Sequence, residues 1–298
     1  MIGIDWGTSS FRAFRLHEDG RVRERRAAPR GILAVENGRF AEELLRQTGD
    51  WIADGESRIL MAGMVGSRQG WREAPYLACP AGPADIAGAL VAVPFEGAEV
   101  LLVPGLTHTD AAGTPEVMRG EETQLVGVLG EIGAEGIACL PGSHSKWAAI
   151  AGGRVAGFST YLSGEAFAAI RGHTILGRMM KDAPTDAAAF ARGVARAGDP
   201  GHLLHHLFGV RTLGLFGRLS ESESASYLSG LLIGHEVRAA LPAGGGSVHL
   251  IGAAPLCALY ARAVAAHGGT AVTHNEDAAA TGLARIGKDA PWTTPTQA

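Results

Sequence analysis

The chain has 298 residues, 46% of them hydrophobic and 19% charged, with a formal net charge of -4. That size and apolar content can bury a core large enough for two domains or two lobes of a double domain, and they exclude a disordered chain. The charge balance gives no basic field for nucleic acid, and no run reaches the ~18 consecutive apolar residues of a membrane helix, so neither partner is expected.

In chain order, Ile2 to Ile4 reads as an apolar strand that breaks into the turn Asp5-Trp6-Gly7-Thr8-Ser9-Ser10. Gly7 lets backbone N–H groups approach an anion, Thr8, Ser9 and Ser10 add hydroxyl donors, and Asp5 can hold a divalent cation through water. An ordinary hairpin turn with Asp5 as a local carboxylate is the alternative. A strand from Phe11 to Leu16, a Glu18-Asp19-Gly20 turn and a strand around Arg21 to Arg25 complete a meander. A helix from Phe40 to Ile52 and a strand from Arg58 to Ala62 follow. The aperiodic Gly-, Pro- and Arg-bearing segment from Gly63 to Pro83 then has the character of a functional loop.

Next come a helix at Ala84 to Val91, a strand at Glu99 to Val103, a connection from Gly105 to Gly120 and a helix at Glu121 to Leu129. Then the opening pattern returns. Gly136 to Leu140 is a strand, Pro141-Gly142-Ser143-His144-Ser145-Lys146 a second hydroxyl-rich turn, Trp147 to Ile150 a strand, and Gly152-Gly153-Arg154-Val155 a hairpin matching Asp19-Gly20-Arg21-Val22. One duplicated nucleotide-binding unit explains two such turns better than chance. Helices at Gly164 to Leu176, Asp186 to Arg196, Gly201 to Phe208 and Ser222 to Leu241 follow, then strand Ser247 to Gly252, helix Pro255 to His267, strand Thr270 to Thr273 and helix Asp277 to Ile286. The class is α/β.

Cys79, Cys139 and Cys257 are scattered and form neither a disulfide framework nor a zinc pair. Met1 runs directly into the first strand without a charged-then-apolar leader, so the cytoplasm is the expected compartment. His202, His205 and His206 have i, i+3 spacing but no neighbouring carboxylate or cysteine, which argues against a metal site. Gly244-Gly245-Gly246 reads as a surface turn. Only three lysines occur, Lys146, Lys181 and Lys288, so a lysine inside the second turn stands out.

Two facing hairpins of this kind resemble the phosphate clamp of the actin-like ATPase and sugar-kinase superfamily. The pieces Asp5-Trp6-Gly7-Thr8-Ser9, Gly63-Met64-Val65-Gly66-Ser67-Arg68-Gln69-Gly70-Trp71, Met118-Arg119-Gly120-Glu121-Glu122-Thr123-Gln124 and Leu140-Pro141-Gly142-Ser143-His144-Ser145-Lys146-Trp147 resemble the 2-dehydro-3-deoxygalactonokinase family. The likeness spans essentially the whole chain. Ser10 and Ser143 depart from the Asn and Thr that the family pattern leads one to expect, and both keep a polar side chain.

The resemblance implies a two-lobed actin-like (ribonuclease H-like) ATPase fold with ATP bound between duplicated lobes, here 1–133 and 134–298. It also implies ATP- and Mg²⁺-dependent phosphorylation of the terminal hydroxyl of 2-dehydro-3-deoxy-D-galactonate. Gly7, Thr8, Ser9, Gly142, Ser143, His144 and Ser145 are then the phosphate ligands, Asp5 the metal anchor, and Lys146 a compact charge on the transferring group. Glu121 or Glu122 is the base, with Asp110 as runner-up; both glutamates also suit a helix N-terminus for dipole reasons alone. Arg68 is the first carboxylate partner for a sugar acid and Arg119 the second. Gln69, Trp6 and Trp71 complete the expected sugar-acid site, although either indole reads equally well as a core ring. Gly252 and Ala253 form a small-residue turn suited to adenine. A filament-type ATPase and a phosphatase-like hydrolase are the competing classes. The chain is short for the former, and its notable long loop fits a small polar pocket. The residues leave open both the galactonate or gluconate origin of the acid and the choice between monomer and homodimer.

Overall fold

In the computed structural model, which describes residues 1–242, 245–274 and 277–293, the first three strands are β1 (Ile2–Trp6), β2 (Phe11–Leu16) and β3 (Val22–Ala28). Helix α1 (Phe40–Ala53), strands β4 (Arg58–Ala62) and β5 (Tyr76–Ala78), helix α2 (Pro83–Gly88), and strands β6 (Val91–Val93), β7 (Glu99–Leu102), β8 (Gly105–Thr109) and β9 (Pro115–Met118) lead to α3 (Glu121–Ile132). The second half holds β10 (Glu135–Leu140), β11 (Ser145–Ala151), β12 (Arg154–Tyr161), α4 (Ser163–His173), α5 (Ala187–Arg196), α6 (Leu203–Leu215) and α7 (Glu221–Ala240). It ends with β13 (Ser247–Leu250), α8 (Ala254–Ala266), β14 (Thr270–Thr273) and α9 (Ala278–Lys288).

The first sheet has the order β3-β2-β1-β4-β7-β6 and the second β12-β11-β10-β13-β14. The second order repeats the first five strands of the first, with β10 in the place of β1, β13 in that of β4 and β14 in that of β7, and only β6 has no counterpart among the described residues. The duplication inferred from two turns is therefore a duplication of topology. β1 pairs antiparallel with β2 and parallel with β4, and it is buried along its whole length because it lies inside the sheet.

Packing divides the chain into two compact units, one of residues 1–135, 148–158 and 275–298 and one of residues 136–147 and 159–274. The first unit thus takes back α9 after the chain has left it, a more interleaved division than one cut at 133. Its core packs Ile4, Trp6, Phe11 and Met61 of the sheet with Phe40, Leu44 and Trp51 of α1. Within it α3 and α9 cross at glycines: a Cβ on Gly127 would lie 2.0 Å from the Ala278 carbonyl oxygen, and one on Gly282 1.7 Å from that of Thr123. In the second unit, Cys139, Trp147, Phe190, Val237 and Tyr260 form one core cluster, and Leu176, Val210, Tyr227 and Leu228 a neighbouring one.

The Gly105–Gly120 connection is a β8–β9 hairpin whose turn is held by Asp110, which accepts from the N–H groups of Ala112 and Thr114. α6 runs seven residues beyond its expected end at Phe208, and α4 stops at His173. Gly244 lies outside the described residues; its neighbour Gly245 packs on the backbone of Gly268.

Candidate active site

In the first unit, the parallel strands β1 and β4 end side by side, Asp5 pairing with Ala62 near their ends, and the chain turns out of the sheet at Gly7 and at Gly63. This is the strand edge where open α/β sheets bind ligands. Gly63 has φ +93, and a Cβ there would lie 2.8 Å from the Trp6 carbonyl oxygen and 3.3 Å from Asp5 Oδ1. Gly120, with φ +107, stands against Gly63 in turn, a Cβ on it lying 3.2 Å from Gly63 Cα. Two glycines thus let the start of α3 approach the end of β1. Asp5 is buried and ion-paired with Arg12. Beyond it the turn is closed by the Gly7 N–H donating to the Ser10 carbonyl at 2.9 Å, while the side chains of Thr8, Ser9 and Ser10 stay exposed. Residues 32–33 brace this turn, the N–H groups of Ile32 and Leu33 donating to the Gly7 and Thr8 carbonyls.

Glu121 and Glu122 differ sharply. The Glu121 carboxylate accepts from the Arg119 N–H at 3.0 Å and is half-buried. Glu122 is wholly buried; its Oε2 accepts from the Gly120 N–H at 2.7 Å and its Oε1 has no partner. Burial, reinforced by the charge of Glu121, pushes the Glu122 carboxyl up to about 8 against the pull of those N–H groups. A carboxyl poised near neutral pH with one free oxygen is what a proton acceptor requires.

Arg119 lies under the Met64–Gly66 turn, its guanidinium 4.4 Å from the Tyr76 ring centroid and its Nη2 donating to the Ala74 carbonyl at 2.7 Å. Nε and Nη1 are buried and unpartnered. Arg68, by contrast, is 87% exposed and faces Glu73 at 3.5 Å. Gln69 is exposed beside it.

In the second unit, the turn at 141–145 is docked on the start of α4. The Glu165 N–H donates to the Ser143 carbonyl at 3.0 Å, the His144 ring meets the Glu165 carboxylate, and a Cβ on Gly164 would lie 2.4 Å from the Gly142 carbonyl oxygen. Behind the turn is a buried polar network. Ser145 Oγ meets the Tyr260 hydroxyl at 2.7 Å, and Glu236 accepts from that hydroxyl and from Trp147 Nε1, each at 2.8 Å. Burial raises the Glu236 carboxyl in spite of these donors. Lys146 is buried and donates from Nζ to Thr160 Oγ1 at 2.9 Å. Gly252 and Ala253 lead into α8, with Ala253 exposed and Gly252 close to Pro141.

A profile of the 2-keto-3-deoxy-galactonokinase family matches residues 5–286. The chain belongs to that family. It is 34% identical over 238 residues to the 2-dehydro-3-deoxygalactonokinase of Escherichia coli (strain K12), covering 79% of this chain and 78% of that protein. With DgoK1 of Rhizobium meliloti (strain 1021), which bears the same enzyme name by assignment, identity is 40% over 273 residues and 89% of each chain. A Sinorhizobium meliloti crystal structure, assigned the same enzyme name, superposes with a TM-score of 0.87 at 37% identity, covering 96% of this chain and 98% of that one. The ADPNP-bound activator of 2-hydroxyisocaproyl-CoA dehydratase from Clostridium difficile, at a TM-score of 0.51 and 12% identity, shares the fold alone. The family makes this chain a kinase with the actin-like, sugar-kinase fold.

Within this kinase several sequence-level candidates take other places. Trp6 is fully buried, edge-on to Phe11 and Phe40, with Nε1 donating to the Arg30 carbonyl, so it presents no face for sugar stacking. Trp71 is stacked on Phe40 at 6.1 Å and belongs to the same apolar layer. The Ser145 hydroxyl is buried against Tyr260 and braces the turn from behind. Asp110 is spent on its own turn. Among the described residues no three His, Cys, Asp or Glu side chains form a metal cluster, His202, His205 and His206 included. The residues that sequence reasoning missed are Gly63 and Gly120 as spacers and Glu236 as a buried brace. A backbone constraint leaves no signature in one sequence beyond the glycine itself.

Proposed function

We propose that this kinase transfers the γ-phosphoryl group of ATP to the terminal hydroxyl of 2-dehydro-3-deoxy-D-galactonate, as the names of its relatives imply. The observation that carries the assignment of roles is Glu122: a buried carboxyl with a raised proton affinity and a free oxygen, held at the start of α3 beside the end of β1. In this reading Glu122 Oε1 takes the proton of the attacking hydroxyl, and Glu121 holds the Arg119 N–H that fixes the approach to the helix. Arg119 receives the sugar-acid carboxylate on one of its unpartnered nitrogens, Nε or Nη1, since buried guanidinium N–H groups without partners are costly until an anion meets them. That ranks Arg119 above Arg68, whose exposed side chain is screened by water.

The exposed hydroxyls of Thr8 and Ser9, on the turn that the Gly7 N–H closes, and Gly142, Ser143 and His144 in the second turn, are assigned to the phosphates. Lys146 supplies fixed positive charge, sharing its ammonium between Thr160 and the phosphoryl oxygens. Gly252 and Ala253 are assigned to the adenine. A hard divalent cation fits the Asp5 oxygen that the Arg12 pair leaves, Oδ1: one buried carboxylate next to a hydroxyl turn suits Mg²⁺, which keeps several waters and takes the rest of its ligands from phosphate. Bound there, Mg²⁺ would neutralise charge on the phosphates. Phosphoryl transfer otherwise asks this protein for positioning and a proton acceptor.

The test is ADP release coupled to a colour reaction, with ATP and a panel of 2-keto-3-deoxy acids of galactonate and gluconate configuration beside neutral hexoses. Stimulation by the galactonate-derived acid above its epimer is expected. Turnover without added acid, or equal stimulation by a neutral hexose, would overturn the assignment.

A further inference from the structure

The second unit contains a crevice of about 400 Å³ between α5, α7 and α8, away from every residue assigned above. Its walls are apolar, chiefly Phe190, Val194 and Val237, with alanines between them. Its polar heads are Arg238, Arg262 and His267, with no carboxylate in the lining. Neither arginine has a hydrogen-bond or ion-pair partner among the described residues, whereas most arginines of this chain are paired with an acid. The Nε2 atom of His267 is buried in the same wall and also lacks a partner. An unpaired buried ring nitrogen is a cost that a native structure rarely carries without reason.

We propose that this crevice binds a small organic anion with an apolar body, of the aryl or alkyl carboxylate or phosphomonoester class. The volume falls in the range of small-molecule sites, which pair apolar walls with a few convergent polar groups. Two guanidinium forks on adjacent helices flank the opening, one at the end of α7 and one within α8, and both match carboxylate or phosphate oxygens. His267, capping α8, supplies a third polar contact through Nε2. The inference does not depend on the phosphoryl-transfer assignment, because none of these side chains belongs to it.

The experiment is a fluorescence titration of the full chain with 8-anilinonaphthalene-1-sulfonate, an aromatic anion, followed by competition. One saturable site per chain is expected, emptied by phenyl phosphate and by 4-phenylbutyrate but not by neutral 4-phenylbutyramide. The R238Q/R262Q pair, both exposed positions, should weaken the dye about tenfold while R238K/R262K keeps it within about threefold, because charge-assisted contacts carry the recognition. Ala191→Phe should fill the crevice and remove binding. Unchanged affinity in R238Q/R262Q, or equal displacement by the neutral amide, would overturn the proposal. So would loss of the dye in Phe208→Ser but not in Ala191→Phe, which would place it on the exposed Leu204 and Phe208 face of α6 instead.

Discussion

Replacing Glu122 by Gln separates proton affinity from shape at one buried position. In the folded protein the carboxyl is pushed up to about 8, whereas in the unfolded chain it titrates near its ordinary value of 4.5. The folded state therefore binds the proton more tightly, and the stability this group contributes is fully present below the unfolded value. That contribution is lost as pH rises towards the folded value, and it is constant beyond it. At pH 7 the separation is about 2.5 units, a penalty of about 3 kcal/mol at 1.36 kcal/mol per unit, against less than about 1 kcal/mol at pH 5. Gln keeps an acceptor for the Gly120 N–H and does not titrate; its amide lacks a partner at the Oε1 position, which adds a pH-independent cost of about 1–3 kcal/mol. The difference in unfolding free energy between E122Q and wild type should therefore move by about 2 kcal/mol in favour of the variant from pH 5 to pH 7. Urea unfolding of both proteins at matched pH measures it, and all other groups cancel in the difference. Over the same range kcat should fall about 10²–10⁴-fold through loss of the proton acceptor. Parallel stability curves would refute the buried, proton-binding Glu122, and retained turnover would refute its catalytic role.

Other outcomes follow from the same geometry. Arg119→Ala should raise KM for the sugar acid by at least about tenfold with kcat nearly kept, while Arg68→Ala changes KM less than about threefold; initial-rate kinetics would expose the reverse ranking. Lys146→Ala should lower kcat more than it raises either KM, and an effect confined to KM would move Lys146 out of the reacting centre. Gly63→Ala places a Cβ 2.8 Å from the Trp6 carbonyl at φ +93 and should cost about 1–3 kcal/mol of stability, read as a lower urea midpoint. Glu236→Gln should slow turnover while folding persists, because the amide oxygen still accepts from Trp147 Nε1 and the amide N–H can donate to a Tyr260 hydroxyl turned towards Ser145; loss of cooperative unfolding would make Glu236 purely structural.

The meander of β1 to β3 and its echo at β10 to β12 were legible because each couples an apolar strand to a turn of glycine and hydroxyls. The shared strand order then follows from the duplication. β8 and β9 escaped because five- and four-residue strands around the Asp110 turn carry too few apolar positions for a period to emerge. The choice between Glu121 and Glu122 could not be read from the helix pattern: Glu121 is in register with Leu125 and Val128, and Glu122 with Leu125, Val126 and Leu129, because α3 is buried almost all round. Arginine ranking was out of reach, since nothing in the sequence says that Arg68 points into solvent while Arg119 threads beneath a turn. Trp6 reads as a binding residue from its motif, and only the ring contacts with Phe11 and Phe40 assign it to the core.

The glycine crossing of α3 on α9 ties residue 127 to residue 282, with the whole of the second unit strung between them. During synthesis, α3 emerges without the helix that covers it, and at 5–20 residues per second it waits roughly 10–30 s for those ~155 residues to follow. Val126 and the neighbouring apolar side chains of α3 are exposed to the translation milieu for that interval, while the intervening unit has all its own residues first. The order of completion therefore runs against the order in the gene: the portion begun second can finish first, and the opening strands join their completed unit last.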